Sequence, residues 1–103
     1  SGYLAFNNAV VDYLAPVGRE IPGTTMIYDG VVTTGSGDYA TTVAKLSSPL
    51  NTRQLSVGDS FTEIGAVRDN VFIEYNVRVI GFDENNVHLT GFATLWINPA
   101  PQQ

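Results

Sequence analysis

Between Val71 and Gly81 every odd position up to Val79 is apolar: Val71, Ile73, Tyr75, Val77 and Val79, with Glu74, Asn76 and Arg78 among the even positions between. The same rhythm runs from Val87 to Ile97, where Val87, Leu89, Gly91, Ala93, Leu95 and Ile97 alternate with residues that include His88, Thr90 and Thr94. Successive side chains of a strand point to opposite faces, so period-two alternation predicts two half-buried strands. The polar run Asp83-Glu84-Asn85-Asn86 between them predicts a hairpin. Facing residues share a side, so odd positions pair with odd. A three-residue loop, Asp83 to Asn85 with Asn85 in the left-handed region, satisfies this. It sets Val79 against Leu89 and Tyr75 against Ala93 on the core face. On the other face it sets Ile80 against His88, Arg78 against Thr90, Asn76 against Phe92, Glu74 against Thr94 and Phe72 against Trp96. A five-residue loop shifts each pairing by one step of two and leaves the faces unchanged.

Upstream, Thr24 to Thr34 is rich in β-branched residues and interrupted by Asp29-Gly30, either a type I′ hairpin turn or a bulge; with a second turn signal so close behind, one long bulged strand is favoured. Gly35-Ser36-Gly37 then turns the chain into a strand from Tyr39 to Leu46. Ser47 to Thr52, with Pro49, is a loop. Gln54 to Ile64 carries a weaker strand signal broken by Gly58-Asp59, and Asp69-Asn70 marks the next turn. Tyr3 to Leu14 fits two patterns. Tyr3, Phe6, Val10, Tyr13 and Val17 recur at helical spacing and stop at Pro16 and Gly18; alternatively Asn7-Asn8 turns a hairpin with Leu4 opposite Val11. The helix fits slightly better. Pro99 to Gln103 reads as a loose tail.

The fold class that follows is mainly β: one domain over residues 1–98, a single antiparallel roll, barrel or sandwich of about five to six strands, with room for one short amino-terminal helix. A chain of 103 residues is one domain's worth.

Composition adds exclusions. There is no cysteine, which removes disulfides, thiolate metal sites and cysteine nucleophiles, and leaves the compartment unreadable. Five basic residues face ten acidic ones for a net charge of −5, and Arg19, Lys45, Arg53, Arg68 and Arg78 are never closer than eight positions. Without clustered Lys/Arg, neither nucleic acid nor an anionic membrane is an expected partner. No apolar run approaches the ~20 residues of a spanning helix, and no basic stretch leads into an apolar one as in a signal peptide. Only 15% of residues are charged, with a single lysine, against about 25% in an average domain. This suits either a Thr/Asn-rich β-surface or one partly covered by another subunit, because interfaces are depleted in Lys, Glu and Asp.

Candidate chemistry is sparse. His88 is the sole histidine, and the nearest carboxylate on its face, Glu74, lies several residues along the neighbouring strand, too far to orient it. An ordinary strand histidine is the simpler reading. One histidine and no cysteine leave only an oxygen-rich metal site, and the Asp83–Asn86 turn lacks the spacing of a calcium loop, so no metal or cofactor is expected. Gly35-Ser36-Gly37 is followed by neither a helix pattern nor a Lys-Ser/Thr pair and is not a phosphate loop. Asp29 and Asp38 stand beside glycines in turns.

What remains is the outer face of the last hairpin. Phe72, Ile80, Phe82, Phe92 and Trp96 lie there among Glu74, Asn76, Arg78, His88, Thr90 and Thr94. Large aromatics on a polar face need a cover, either a helix or second sheet of the same chain or a binding partner. Trp, Phe and Arg are residues that dominate binding energy. The candidate binding residues are therefore Phe72, Glu74, Arg78, His88, Phe92 and Trp96. The expected role is a non-catalytic interaction or assembly module that associates with itself or with another protein.

The stretch from Thr42 to Ile97 also resembles the hotdog fold of thioesterases and thioester dehydratases. The residues concerned are Leu46, Pro49, Val57-Gly58-Asp59, Val77-Arg78-Val79, Asp83, Asn86 and Gly91-Phe92-Ala93-Thr94. In that family a strand leads through a proline to a Gly-Asp turn and two long strands, and a central helix follows the first strand. The only helix candidate here has no strand before it. The resemblance implies the alternative function, a small enzyme or ligand-binding barrel for an apolar or acyl small molecule, with His88, Asp29 or Asp38 as general base.

Overall fold

The computed structural model describes residues 2–4, 14–34 and 41–98. Six strands are described: β1 (Gly2–Leu4), β2 (Tyr28–Thr34), β3 (Thr41–Leu46), β4 (Ser60–Arg68), β5 (Val71–Asp83) and β6 (Asn86–Ile97). They form one antiparallel sheet in the order β2-β3-β6-β5-β4, and the short β1 pairs with the end of β6 beyond the reach of β3. The sheet curls into a half-barrel. Among the described residues the protein is all-β. Of the amino-terminal segment with two readings, residues 3 and 4 are strand, and 5–13 lie outside the described residues, as do the turn at 35–37 and the tail at 99–103.

The interior face collects the alternating residues that the pattern marks as buried. Ile73, Tyr75, Val77 and Val79 of β5 join Val87, Leu89 and Ala93 of β6, Ala44 and Leu46 of β3, and Tyr28. Residues 14–27 and 47–59 contribute Leu14, Ile21, Met26 and Leu55 to the same cluster. The chain folds back at Pro22-Gly23, with Ile21 N–H donating to the Met26 carbonyl (2.8 Å) and Glu20 bridging Ile27. Asn85 fastens the second of these segments. Its Nδ2 donates to the carbonyls of Leu46 (3.1 Å) and Ser48 (2.8 Å), and its Oδ1 accepts from Leu50 N–H (2.7 Å).

The hairpin register agrees with the alternation from Phe72–Trp96 to Val79–Leu89 and then departs from it. A bulge at Ile80 shifts the pairing, so His88 faces Gly81 rather than Ile80, and Phe82 faces Val87 and packs against the core. Phe82 is thus not an outer-face residue. The connecting turn has two residues, Glu84 and Asn85, and the left-handed one is Glu84 (φ 55°), not Asn85. A two-residue turn alone would pair odd with even, and the bulged residue restores the parity that burial demands. The expected bulge at Asp29 is present between Tyr28 and Gly30. The expected strand from Gln54 is not: residues 54–59 are turn and coil, and β4 begins at Ser60, after Gly58 in the left-handed region (φ 95°). No described residue between Thr42 and Ile97 is helical, and no described helix packs on the sheet as a hotdog core would.

Candidate binding face

The outer face of β4, β5 and β6 is built by the even-numbered positions. Ser60, Thr62, Ile64 and Ala66 of β4 stand beside Arg78, Asn76, Glu74 and Phe72 of β5. Those in turn stand beside Thr90, Phe92, Thr94 and Trp96 of β6. Phe72, Glu74, Phe92 and Thr94 are half-buried, whereas Trp96 (45% exposed), Ile64 (58%) and the bulged Ile80 (45%) are open to solvent. A polar chain crosses the face: Thr62 Oγ1 donates to Asn76 Oδ1 (2.9 Å), and Asn76 Nδ2 donates to Glu74 Oε2 (2.9 Å). Arg78 is exposed at one end of it. An open groove of ≈ 450 Å³ lies here, lined by Ser60, Thr62, Asn76, Arg78, Thr90 and Phe92 together with Phe61, Val77 and Gly91.

The sheet thus gathers Phe72, Glu74, Arg78, Phe92 and Trp96 on one surface. His88 shares that face further along, between Val43 and Gly81. Its Nε2 is buried and has no hydrogen-bond partner among the described residues. Asp29 is exposed at the β2 bulge, and Asp38 lies outside the described residues. Asp29 and His88 therefore sit on different strands with no described contact. Among the described residues no three His, Asp or Glu side chains converge to hold a metal ion.

A second polar cluster lies inside the half-barrel. Glu63, on the edge strand β4, points inward and is buried; its Oε2 accepts a hydrogen bond from the Tyr28 hydroxyl at 2.7 Å. Arg19 Nη1 stands 3.8 Å from Glu63 Oε1 and donates to the Leu14 carbonyl at 2.9 Å. Tyr28 opens β2 and Glu63 belongs to β4, the two ends of the strand order. The curl brings these ends close enough for side chains to bridge them. Burial raises the Glu63 pKa, while the Tyr28 bond and the Arg19 charge oppose that rise. Burial, then the adjacent Glu63, drives the Tyr28 pKa far above its usual value. Tyr75, opposite Glu63 in the ladder, makes a long bond to Thr42 Oγ1 (3.4 Å), and burial pushes its pKa up to about 12. Neither Glu63 nor Tyr28 is marked by sequence spacing, because they are 35 residues apart.

No protein-family model, curated protein or solved structure matches the chain.

Proposed function

We propose that this protein is a non-catalytic binding and assembly module that docks a protein surface, its own copy included, through the outer face of β4, β5 and β6. The observation that carries the reading is the combination of open Trp96, Ile64 and Ile80 with half-buried Phe72 and Phe92 on one face, Phe92 also lining its groove. Aromatic and arginine side chains in such a setting are the usual anchors of interfaces, and a polar surround of Thr62, Asn76 and Thr90 suits the rim. The low charge of the chain points the same way.

Trp96→Ala is the direct test. The substitution is expected to weaken self-association or partner capture by a hot-spot amount, about 2 kcal/mol or roughly 30-fold in Kd, with little change in fold. A wild-type protein that sediments as a monomer at high concentration, with Trp96→Ala altering neither solubility nor capture, would overturn the reading.

The groove favours a second reading, a small-molecule binding domain, because its volume falls within the roughly 300–1,000 Å³ of ligand sites. Arg78 is the side chain best placed to fix an acidic group of such a ligand. A thermal-shift screen of small carboxylates is then expected to give hits that Arg78→Ala abolishes; hits that survive it would count against the groove.

A further inference from the structure

We infer that β4 is a self-pairing edge, along which two copies of the chain join antiparallel about a two-fold axis at Ile64 to make one continuous sheet. This rests on the binding-module reading above and names its partner as a second copy. Among the described residues β4 pairs with β5 on one side and has no strand on the other. The unpaired N–H and C=O groups of an edge strand are a template for another strand, and proteins usually blunt such edges with bulges, charges, proline or a covering segment.

The two edges of this sheet are treated differently. Each edge strand carries a bulge, β2 between Tyr28 and Gly30 and β4 near its end between Ala66 and Arg68, but only β2 has main-chain groups of its edge bonded to another segment among the described residues. The Tyr28 N–H donates to the Arg19 carbonyl, and its carbonyl accepts from Gly18 N–H, each at 2.9 Å. β4 is nine residues long, with no proline or lysine, and its outward row from Ser60 to Ala66 carries no charge. Its one inward charge, Glu63, already has Tyr28 and Arg19 as partners. The most exposed apolar side chain of the strand, Ile64, stands at its midpoint.

Register follows from the pleat. Antiparallel partners must point to the same side, and overlap of the whole strand with its copy sets Ile64 against the partner's Ile64. It also sets Thr62 against the partner's Ala66 and Glu63 against the partner's Gly65. The bulge between Ala66 and Arg68 confines the regular ladder to this central stretch. Centring on Glu63 instead would place two carboxylates directly opposite each other, which like-charge repulsion disfavours. The resulting interface is isologous, and it runs the two outer faces into a single surface.

The absence of cysteine gives a clean test. Ile64→Cys puts one thiol per copy on the axis, where directly opposed Cβ atoms, about 4.5–5.5 Å apart, approach disulfide reach. Val32→Cys, on the outer face of β2 and also exposed, is the control. Under mild oxidation Ile64→Cys is expected to form covalent dimer at least ~10-fold faster than Val32→Cys, and Ile64→Lys to weaken self-association in sedimentation equilibrium at least ~10-fold with an unchanged circular dichroism spectrum. Equal cross-linking of the two cysteine variants, or unaltered association of Ile64→Lys, would overturn the edge pairing. If Trp96→Ala abolishes association while Ile64→Lys does not, only the edge pairing fails; if neither variant matters, both readings fail together.

Discussion

Gly91→Ala is expected to destabilise the protein by about 3 kcal/mol or more, at or beyond the upper end of ordinary overpacking effects. Gly91 lies in the interior row of β6, opposite Val77 and next in that row to Ala93, which faces Tyr75. A Cβ built on Gly91 runs into the Asn76 carbonyl oxygen and comes within 2.9 Å of the Asn76 carbonyl carbon and of Val77 Cα. These are main-chain atoms of the paired strand, so no rotamer change relieves the contact. Either β5 and β6 separate locally, with loss of ladder hydrogen bonds, or the curl of the half-barrel flattens.

The contrast that isolates this effect is Gly81→Ala in the same hairpin, on β5 opposite His88 and free of crowding: nothing lies within 4 Å of its Cβ position, and its φ is not in the left-handed region. There the substitution is expected to be neutral or to stabilise by about 0.4–1 kcal/mol through the unfolded chain. For a domain of this size a 3 kcal/mol loss lowers Tm by roughly 12–24 °C, so paired thermal melts decide the matter. Similar melts for the two variants would show that the close approach at Gly91 carries no energetic weight. Because Gly91, Asn76 and Phe92 also border the groove, Gly91→Ala is expected to impair binding at that face.

The long hairpin was legible because burial imposes a parity on every residue of a half-buried strand, and β5 and β6 together offer many positions to reveal it. Parity assigns each residue its face, but the register up to Val79–Leu89 also needed the loop length, and the observed two-residue turn plus one bulged residue gives the same pairing as a three-residue loop. The bulge at Ile80 leaves no such mark, for a related reason. Ile80, Gly81 and Phe82 carry no charge, so nothing in their order records the switch of face that puts Phe82 on the core side. β4 was blurred because its inward row, Phe61, Glu63 and Gly65, contains a charge and a glycine, while its outward row contains Ile64. Polarity there runs against burial. The outer-face residues Phe72, Glu74, Arg78, Phe92 and Trp96 were recoverable from alternation, whereas the Tyr28–Glu63–Arg19 cluster required the curl that brings opposite edges of the sheet together. That curl is a tertiary property with no local spacing.

The same cluster makes stability depend on pH in a stated direction. A carboxyl whose pKa is raised on folding holds more protons in the folded than in the unfolded chain throughout the interval between its two values. The contribution of Glu63 is therefore most favourable below its unfolded value of 4.5, declines as pH rises through the interval, and is constant above the folded value. Within the interval the decline is at most about 1.4 kcal/mol per pH unit. Glu63→Gln cannot ionise, keeps an oxygen to accept the Tyr28 bond and leaves Arg19 its bond to Leu14. Denaturant melts at successive pH values are expected to show Glu63→Gln gaining on the wild type as pH rises from 4.5 and holding the gain above the folded value. Subtracting the two curves cancels the other carboxylates. Tyr28→Phe is the converse: it removes a donor that holds the Glu63 pKa down, so the interval widens. Its cost is expected to reach about 1.5–3 kcal/mol where Glu63 is ionised, the size of a hydrogen bond to a charged group, and to shrink as pH falls and the carboxyl is protonated. Parallel pH curves for the wild type and Glu63→Gln would mean that Glu63 ionises folded as it does unfolded, and the bridge between β2 and β4 would then have to be sought in the apolar packing around it.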